Sequence, residues 1–325
     1  MYITTGNAAP DINGVRRAGD NLFSASIVAL DLKTGRPVWY FQETHHDLWD
    51  YDSTQPAVLF PVVTDGSVVP AIGHCSKNGN YYILDRRNGR PIFPVTEMPV
   101  PTTPAWQHPS PTQPVSSVEP LTPLTFVPGT IDLRKLPPGV QLAPQYTPPQ
   151  QQEFLIVPGD DGGCEWAPAA FSPRTSFVYY GTRYEPSTFQ TSPNNRSFLG
   201  STFEEQVPGV KAFGIFGATD TRSGTVAWKT NVDQPAKSGL MVAGDLVFFG
   251  EGNGKFHAVH AATGQMLFTF DGTTIPNGGG AQAAPVAYVV NGKEFIVNAF
   301  GGNVPDRQHF PPNPVGDAIV AFTLP

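Results

Sequence analysis

Charge is scarce in this sequence. Asp, Glu, Lys and Arg make up 14% of the 325 residues, against about 25% in an ordinary soluble domain. A helical bundle or coiled coil, built on Glu, Lys, Ala and Leu, is excluded. The formal net charge is −7 and no basic run occurs, so the chain has no electrostatic footprint for nucleic acid. No apolar stretch approaches the roughly 18 residues of a transmembrane helix. Cysteine is nearly absent: Cys75 and Cys164 are too few for a disulfide scaffold, and neither has zinc-ligand or haem-attachment spacing. The first residues show no basic region, apolar core and cleavage site of a signal peptide. There is no Gly-x-Ser-x-Gly elbow, and no Gly-rich loop in the strand-to-helix setting that cradles phosphates.

What is abundant is Gly (33), Pro (35) and aromatic residues (22 Phe, 10 Tyr, 5 Trp). That much apolar ring surface argues against disorder, and with so many turn formers the chain reads as many short strands. Four segments share one pattern: Ser26 to Phe41, Asn80 to Val95, Phe213 to Thr230 and Lys255 to Phe270. Each has an alternating strand, a polar pair, a turn ending in Gly35, Gly89, Gly224 or Gly264, and a second strand. Alternation at period two marks half-buried strands, and the turn Gly is expected to supply the positive φ of a tight hairpin. Trp39, Phe93, Trp228 and Phe268 each lie four residues beyond the turn Gly, placed to pack one hairpin on the next. Repeated hairpins with further strands between them predict an all-β propeller of four to five blades; an antiparallel sandwich is the alternative. Residues 96–153 interrupt the rhythm with a dense Pro run and three aromatic anchors, Trp106, Phe126 and Tyr146. They are expected to form an ordered excursion rather than a plain linker.

The densest polar constellation is His45-His46-Asp47-Leu48-Trp49-Asp50-Tyr51-Asp52. A carboxylate among aromatics can have its pKa raised and act as a general base, and a His/Asp mixture can bind a metal. The same residues would equally serve a polar loop whose Asp side chains cap turns. Lys77, in His74-Cys75-Ser76-Lys77-Asn78, could donate to an anionic or carbonyl oxygen or lie exposed. In Gly162-Gly163-Cys164-Glu165-Trp166 the glycines would allow close backbone approach.

These motifs resemble the pyrroloquinoline quinone (PQQ) dependent dehydrogenases, and among them the membrane-type glucose dehydrogenase branch. The resemblance is carried by Thr5-Gly6-Asn7, the segment Ser26 to Trp39, the run Gln42 to Asp52, the segment Lys77 to Glu97, Ser110 to Pro114, and a terminal block beginning at Gly239. It implies an eight-bladed quinoprotein propeller, of which residues 1–325 would be an incomplete domain lacking N-terminal blades. It implies hydride transfer from a sugar or alcohol hydroxyl to the quinone C5, with Asp50 as general base and Lys77 hydrogen-bonded to the quinone oxygens. Asn7 and Asp50 would hold a calcium or magnesium ion, Glu165 and Trp166 would contact the cofactor, and His46 and Trp49 would wall the substrate cleft. The electron acceptor would be a membrane quinone or a cytochrome, and the setting the periplasm.

Two departures stand out. Many relatives have Asn where this chain has Glu165, which disturbs the local charge balance. Cys75 and Cys164 both flank matched cofactor positions, and they either pair or remain free thiols. A chain short of its front blades is expected to be unstable or inactive alone. The rival is a non-catalytic propeller serving as a scaffold for protein partners; an inactive fragment is the third reading. Asn7, Asp50 and Lys77 together favour the enzyme.

Overall fold

The structure is a computed structural model describing residues 1–64, 66–198, 202–204 (backbone only), 207–302 and 314–323. No α-helix occurs among them; two short 3-10 turns lie at Ala105–Gln107 and Gly272–Thr274. The chain divides into two compact units, residues 1–165 with 183–212, and residues 166–182 with 213–325.

The first unit opens with a three-stranded antiparallel sheet of β1 (Tyr2–Thr4), β2 (Ser26–Leu30) and β3 (Pro37–Gln42). A four-stranded antiparallel sheet follows: β4 (Val58–Thr64), β5 (Ser67–Cys75), β6 (Tyr81–Asp85) and β7 (Arg90–Pro91). β8 (Val95–Pro99) and β9 (Thr112–Ser116) form a two-stranded ribbon. β10 (Gln141–Leu142) and β11 (Phe154–Ile156) begin another four-stranded sheet. The chain then makes β12 (Ala170–Ser172) and β13 (Phe177–Tyr184), and completes that sheet with β14 (Ser187–Gln190) and β15 (Thr202–Glu204), in the order β10-β11-β14-β15.

In the second unit β12 and β13 pair with β16 (Phe213–Asp220) and β17 (Val226–Val232), in the order β12-β13-β16-β17. β18 (Met241–Ala243), β19 (Leu246–Gly250), β20 (Lys255–His260) and β21 (Met266–Asp271) form the next four-stranded sheet. β22 (Val286–Val290), β23 (Lys293–Phe300) and β24 (Ala318–Phe322) form a three-stranded one. The described residues therefore contain four four-stranded and two three-stranded sheets, each mostly antiparallel as propeller blades are.

The repeat grammar survives in detail. Gly35, Gly89, Gly224 and Gly264 all have positive φ, between 68 and 73°. Each turn closes with the Gly N–H donating to the carbonyl four residues back, at 2.8 Å. The repeated Trp does join one hairpin to the next. Trp39 Nε1 donates to the Arg86 carbonyl at 3.0 Å, and a Cβ on Gly89 would sit 2.6 Å from the Trp39 indole. Trp228 repeats this in the second unit, donating to the Ala261 carbonyl at 2.8 Å with its indole 2.5 Å from a hypothetical Gly264 Cβ. Gly is required at both turns because the indole occupies the space a side chain would fill.

The Pro-rich excursion is ordered and wraps the His45–Asp52 run. Tyr146 is buried and packs edge-on against Trp49 and Tyr51, with ring centroids 5.3 and 6.0 Å away. Trp106 and Phe126 are half-buried. Buried Gln107 accepts from the Gly14 amide at 2.6 Å and donates to the Ile12 and Pro149 carbonyls. Trp49 Nε1 donates to the Thr147 carbonyl at 2.8 Å, and Gln113 exchanges two hydrogen bonds with the His45 backbone.

Candidate functional site

The Asp50 loop follows β3, and Lys77 lies in the turn between β5 and β6. The fold brings them together. Lys77 Nζ lies 2.9 Å from Asp50 Oδ2, 2.8 Å from Asp52 Oδ1 and 3.2 Å from Glu165 Oε1. The contact with Asp50 Oδ2 has hydrogen-bond geometry, and the contacts with Asp52 and Glu165 are ion pairs. Asn7 completes the group, its amide nitrogen donating to Asp50 Oδ1 at 2.6 Å. Asp50 has φ of 63°, a left-handed conformation that a non-glycine residue holds only when its surroundings fix it. Its side chain keeps 29% of its surface exposed while that of Lys77 keeps 5%, so the carboxyl is the reachable end of the pair.

The electrostatics set the two groups apart. Burial pushes the Asp50 carboxyl up to about 8; Lys77 opposes this and Asp52 reinforces it. Burial alone would lower the Lys77 pKa, but Asp50, Asp52 and Glu165 override it and hold the ammonium well above its ordinary value. Burial is thus the main reason a proton stays on Asp50 near neutral pH, with the neighbouring acids Asp52 and Asp47 adding to it against Lys77.

The glycine pair before Glu165 approaches the Lys77 backbone, as its composition suggested. A Cβ on Gly162 would lie 2.5 Å from Lys77 Cβ, and the Gly163 amide donates to the Lys77 carbonyl at 2.7 Å. Cys75 and Cys164 form a disulfide with Cα atoms 5.7 Å apart, so the same two segments are covalently tied. Glu165 is compensated by Lys77, and it also helps hold up the pKa of buried Arg183, whose own closest partner is Asp161.

Two of the expected residues, His46 and Trp49, are buried rather than exposed beside Asp50. His46 is fully buried, with Nδ1 and Nε2 2.6 and 2.7 Å from the Gly19 and Gln107 carbonyl oxygens. Burial lowers its pKa, against the two carbonyls, which favour the protonated ring. Trp49 is buried as well, tilted against Tyr51 and edge-on to Tyr146. Both hold the Asp50 loop from behind. Trp166 begins the second unit and is 47% exposed. Asp52 stands in the polar run His45 to Asp52 but had no individual role from the sequence, although it lies two residues from Asp50. The sequence reading also passed over Glu43 and His74, which are buried beneath the loops.

Asn7 Oδ1 and the Asp50 carboxylate are hard oxygen donors of the kind calcium and magnesium take. The two side chains meet through the Asn7 amide nitrogen rather than its oxygen, and Asp50, Asp52 and Glu165 outnumber the one ammonium, so the donor chemistry and the charge suit a cation. Among the described residues no group of three or more His, Cys, Asp or Glu side chains is placed to hold a metal ion. No helix among them is long and apolar enough to cross a membrane.

Residues 1–214 match the sequence profile of the glucose/ethanol/alcohol dehydrogenase β-propeller domain. The chain belongs to this PQQ-dependent family. A second profile, that of the outer membrane protein assembly factor BamB, matches residues 211–304. The chain is 34% identical over 318 residues to a quinohemoprotein alcohol dehydrogenase of Comamonas testosteroni, covering 93% of this chain and 40% of the relative. It is 29% identical to quinoprotein glucose dehydrogenase A of Acinetobacter calcoaceticus, covering all of this chain and 48% of that one. Relatives named for alcohol and for glucose thus both align. The crystal structure of the Comamonas enzyme superposes with a TM-score of 0.74 at 29% identity, covering 99% of this chain and 46% of that one. The quinoprotein propeller expected from the sequence is the fold. The chain spans about half the length of these relatives.

Proposed function

We propose that this chain carries the base and the quinone-facing cation of a PQQ-dependent dehydrogenase that oxidises a sugar or alcohol hydroxyl. The observation that carries the reading is the contact of a partly exposed Asp50 with a buried Lys77 ammonium, which Asp52 and Glu165 also hold. Asn7 and Asp50 would hold a calcium or magnesium ion, and Lys77 and Glu165 would face the quinone, with Trp166 a further contact. When bound, these groups supply hydride acceptance at the quinone C5 and polarisation of its carbonyl.

The protein's own part is proton handling and positioning. Asp50 accepts the hydroxyl proton through its exposed carboxyl, which requires that it first be ionised. A pKa near 8 leaves it largely protonated at neutral pH, so added positive charge beside Asn7 would convert it into a base. Lys77 stays charged throughout, orienting Asp50 through one hydrogen bond. The disulfide fits an oxidising compartment, in keeping with a periplasmic setting and a membrane quinone or cytochrome as electron acceptor.

The match of residues 211–304 to an assembly-factor profile supports the rival reading of a protein-binding scaffold. Titration with PQQ in the presence of calcium or magnesium, followed by quenching of tryptophan fluorescence, separates the two. Saturable binding lost on Lys77→Ala and metal-dependent oxidation lost on Asp50→Asn support the dehydrogenase; no binding at any metal concentration refutes it.

A further inference from the structure

Glu43 follows β3 and its carboxyl is fully enclosed. It is the meeting point of both reactive loops. Its Oε2 accepts from Ser53 Oγ at 2.5 Å, and Ser53 directly follows Asp52. Its Oε1 lies 2.7 Å from His74 Nδ1, three residues before Lys77. Its backbone carbonyl accepts from the Asn78 amide nitrogen at 2.7 Å, one residue after Lys77. Its own N–H is anchored to the Ala25 carbonyl at 2.8 Å, and the Ser53 N–H to the Thr5 carbonyl at 3.0 Å. One buried side chain and its carbonyl thus fix the far side of Asp52 and both flanks of Lys77.

The protons in this cluster can be counted. His74 Nε2 lies 2.9 Å from the Gln55 carbonyl oxygen, which only accepts, so Nε2 carries a hydrogen. A proton must then also lie between Nδ1 and Glu43 Oε1, whichever of the two owns it. The pair is therefore neutral overall, and removing either member leaves the other buried without its partner, the costly case for an enclosed polar group.

We infer that Glu43 is a positioning residue for the Asp50–Lys77 pair, acting through Ser53, His74 and Asn78 rather than by touching substrate or cofactor. The inference rests on the reading of Asp50 and Lys77 as the reacting pair. Glu43→Gln is the conservative variant: its carbonyl oxygen can accept from Ser53 and its amide can donate to a neutral His74 Nδ1. Glu43→Ala removes both contacts.

The test labels the full chain with trinitrobenzenesulfonate and follows each lysine by peptide mass spectrometry, alongside urea unfolding and PQQ binding in calcium. Glu43→Ala is expected to raise Lys77 labelling about tenfold, the loss of two buried polar contacts at about threefold each, with the other lysines unchanged. It is also expected to weaken PQQ binding by a similar factor. Glu43→Gln is expected to stay within about twofold of wild type in both. Should Glu43→Ala not fold, Ser53→Ala cuts the Asp52 tether alone and is expected to raise Lys77 labelling about threefold. A lowered unfolding midpoint with Lys77 labelling unchanged, a uniform rise over all lysines, or a glutamine variant as impaired as the alanine one overturns the inference. A wild-type chain that labels as expected but does not bind PQQ removes the dehydrogenase reading and leaves the positioning result standing.

Discussion

Asp47 provides a quantitative test of how the acidic run is divided between structure and chemistry. Its carboxyl is fully buried. Oδ1 accepts the Trp49 N–H at 3.0 Å, and Oδ2 has no hydrogen-bond partner. Burial pushes its pKa from 3.8 to about 6, against the Trp49 and Tyr51 amides and Arg17, which pull it down. The native state therefore holds a proton, between about pH 4 and pH 6, that the unfolded chain has released. Linkage then makes stability fall as pH rises through that window. The displacement from 3.8 to about 6 corresponds to a penalty of about 3 kcal/mol, complete above about pH 6 and absent below about pH 4.

Asp47→Asn keeps the oxygen that accepts from Trp49 and removes the titration. Urea unfolding, with tryptophan fluorescence as the probe, is to be run on both proteins at about pH 4.5, 6 and 7.5 with m-values compared. Relative to wild type, the variant should gain about 2–3 kcal/mol between the lowest and highest pH. Parallel pH profiles for the two proteins would refute the assignment of the proton to Asp47. A variant that loses ground as pH rises would show that the native carboxylate is stabilised, the opposite of what an unpartnered Oδ2 implies.

Asp50→Asn should lower PQQ-dependent turnover by about two to four orders of magnitude with PQQ affinity retained. Wild-type turnover should rise with pH through an alkaline limb, because Asp50 acts only when ionised, and more calcium should move that limb to lower pH. Reduction of Cys75–Cys164, or Ser at both positions, opens a loop of 89 residues and should lower stability by about 3–5 kcal/mol; an unchanged urea midpoint in reductant would contradict this. Gly89→Ala meets both a positive φ and the Trp39 ring, whereas Gly35→Ala meets only the φ, with open space around it. Gly35→Ala should cost about 1 kcal/mol and Gly89→Ala clearly more; equal unfolding midpoints would mean that Trp39 does not lock the neighbouring hairpin.

The parts of the fold legible in the sequence were those written in local chemistry. Gly35 and Gly264 announce hairpins because positive φ favours glycine, and Trp39 and Trp228 announce hairpin packing because they recur at one offset. Asp50, Lys77 and Asn7 were legible through resemblance, and the geometry groups all three. His46 and Trp49 sit beside the base in sequence, yet alternation along the chain says nothing of which neighbour turns inward; here the left-handed backbone at His46 and Asp50 sends their side chains into different surroundings. Glu43 and His74 were illegible for another reason. An isolated acid at the end of a strand and a lone His on the next sheet look like surface residues until the fold encloses both, and only then must each find the other.

The scarcity of charge takes on meaning at this cluster. A chain with few ionisable groups has placed Asp50, Asp52, Glu165 and Lys77 within one contact shell, and Glu43 with His74 beneath it. Buried charge costs stability unless it is paired, and burial, reinforced by the neighbouring Asp52, leaves Asp50 protonated rather than ionised near neutral pH. Glu165 adds to the surplus of acid over base: with Asp50 protonated, one of Asp52 and Glu165 balances Lys77 and the other is excess negative charge. The effect of Glu165 is to raise the demand for a further cation. A Glu165→Gln variant would relieve one negative charge and should therefore weaken calcium affinity while lowering the Asp50 pKa in the metal-free protein. Those two changes move together only if the cluster works as one charge-balanced unit.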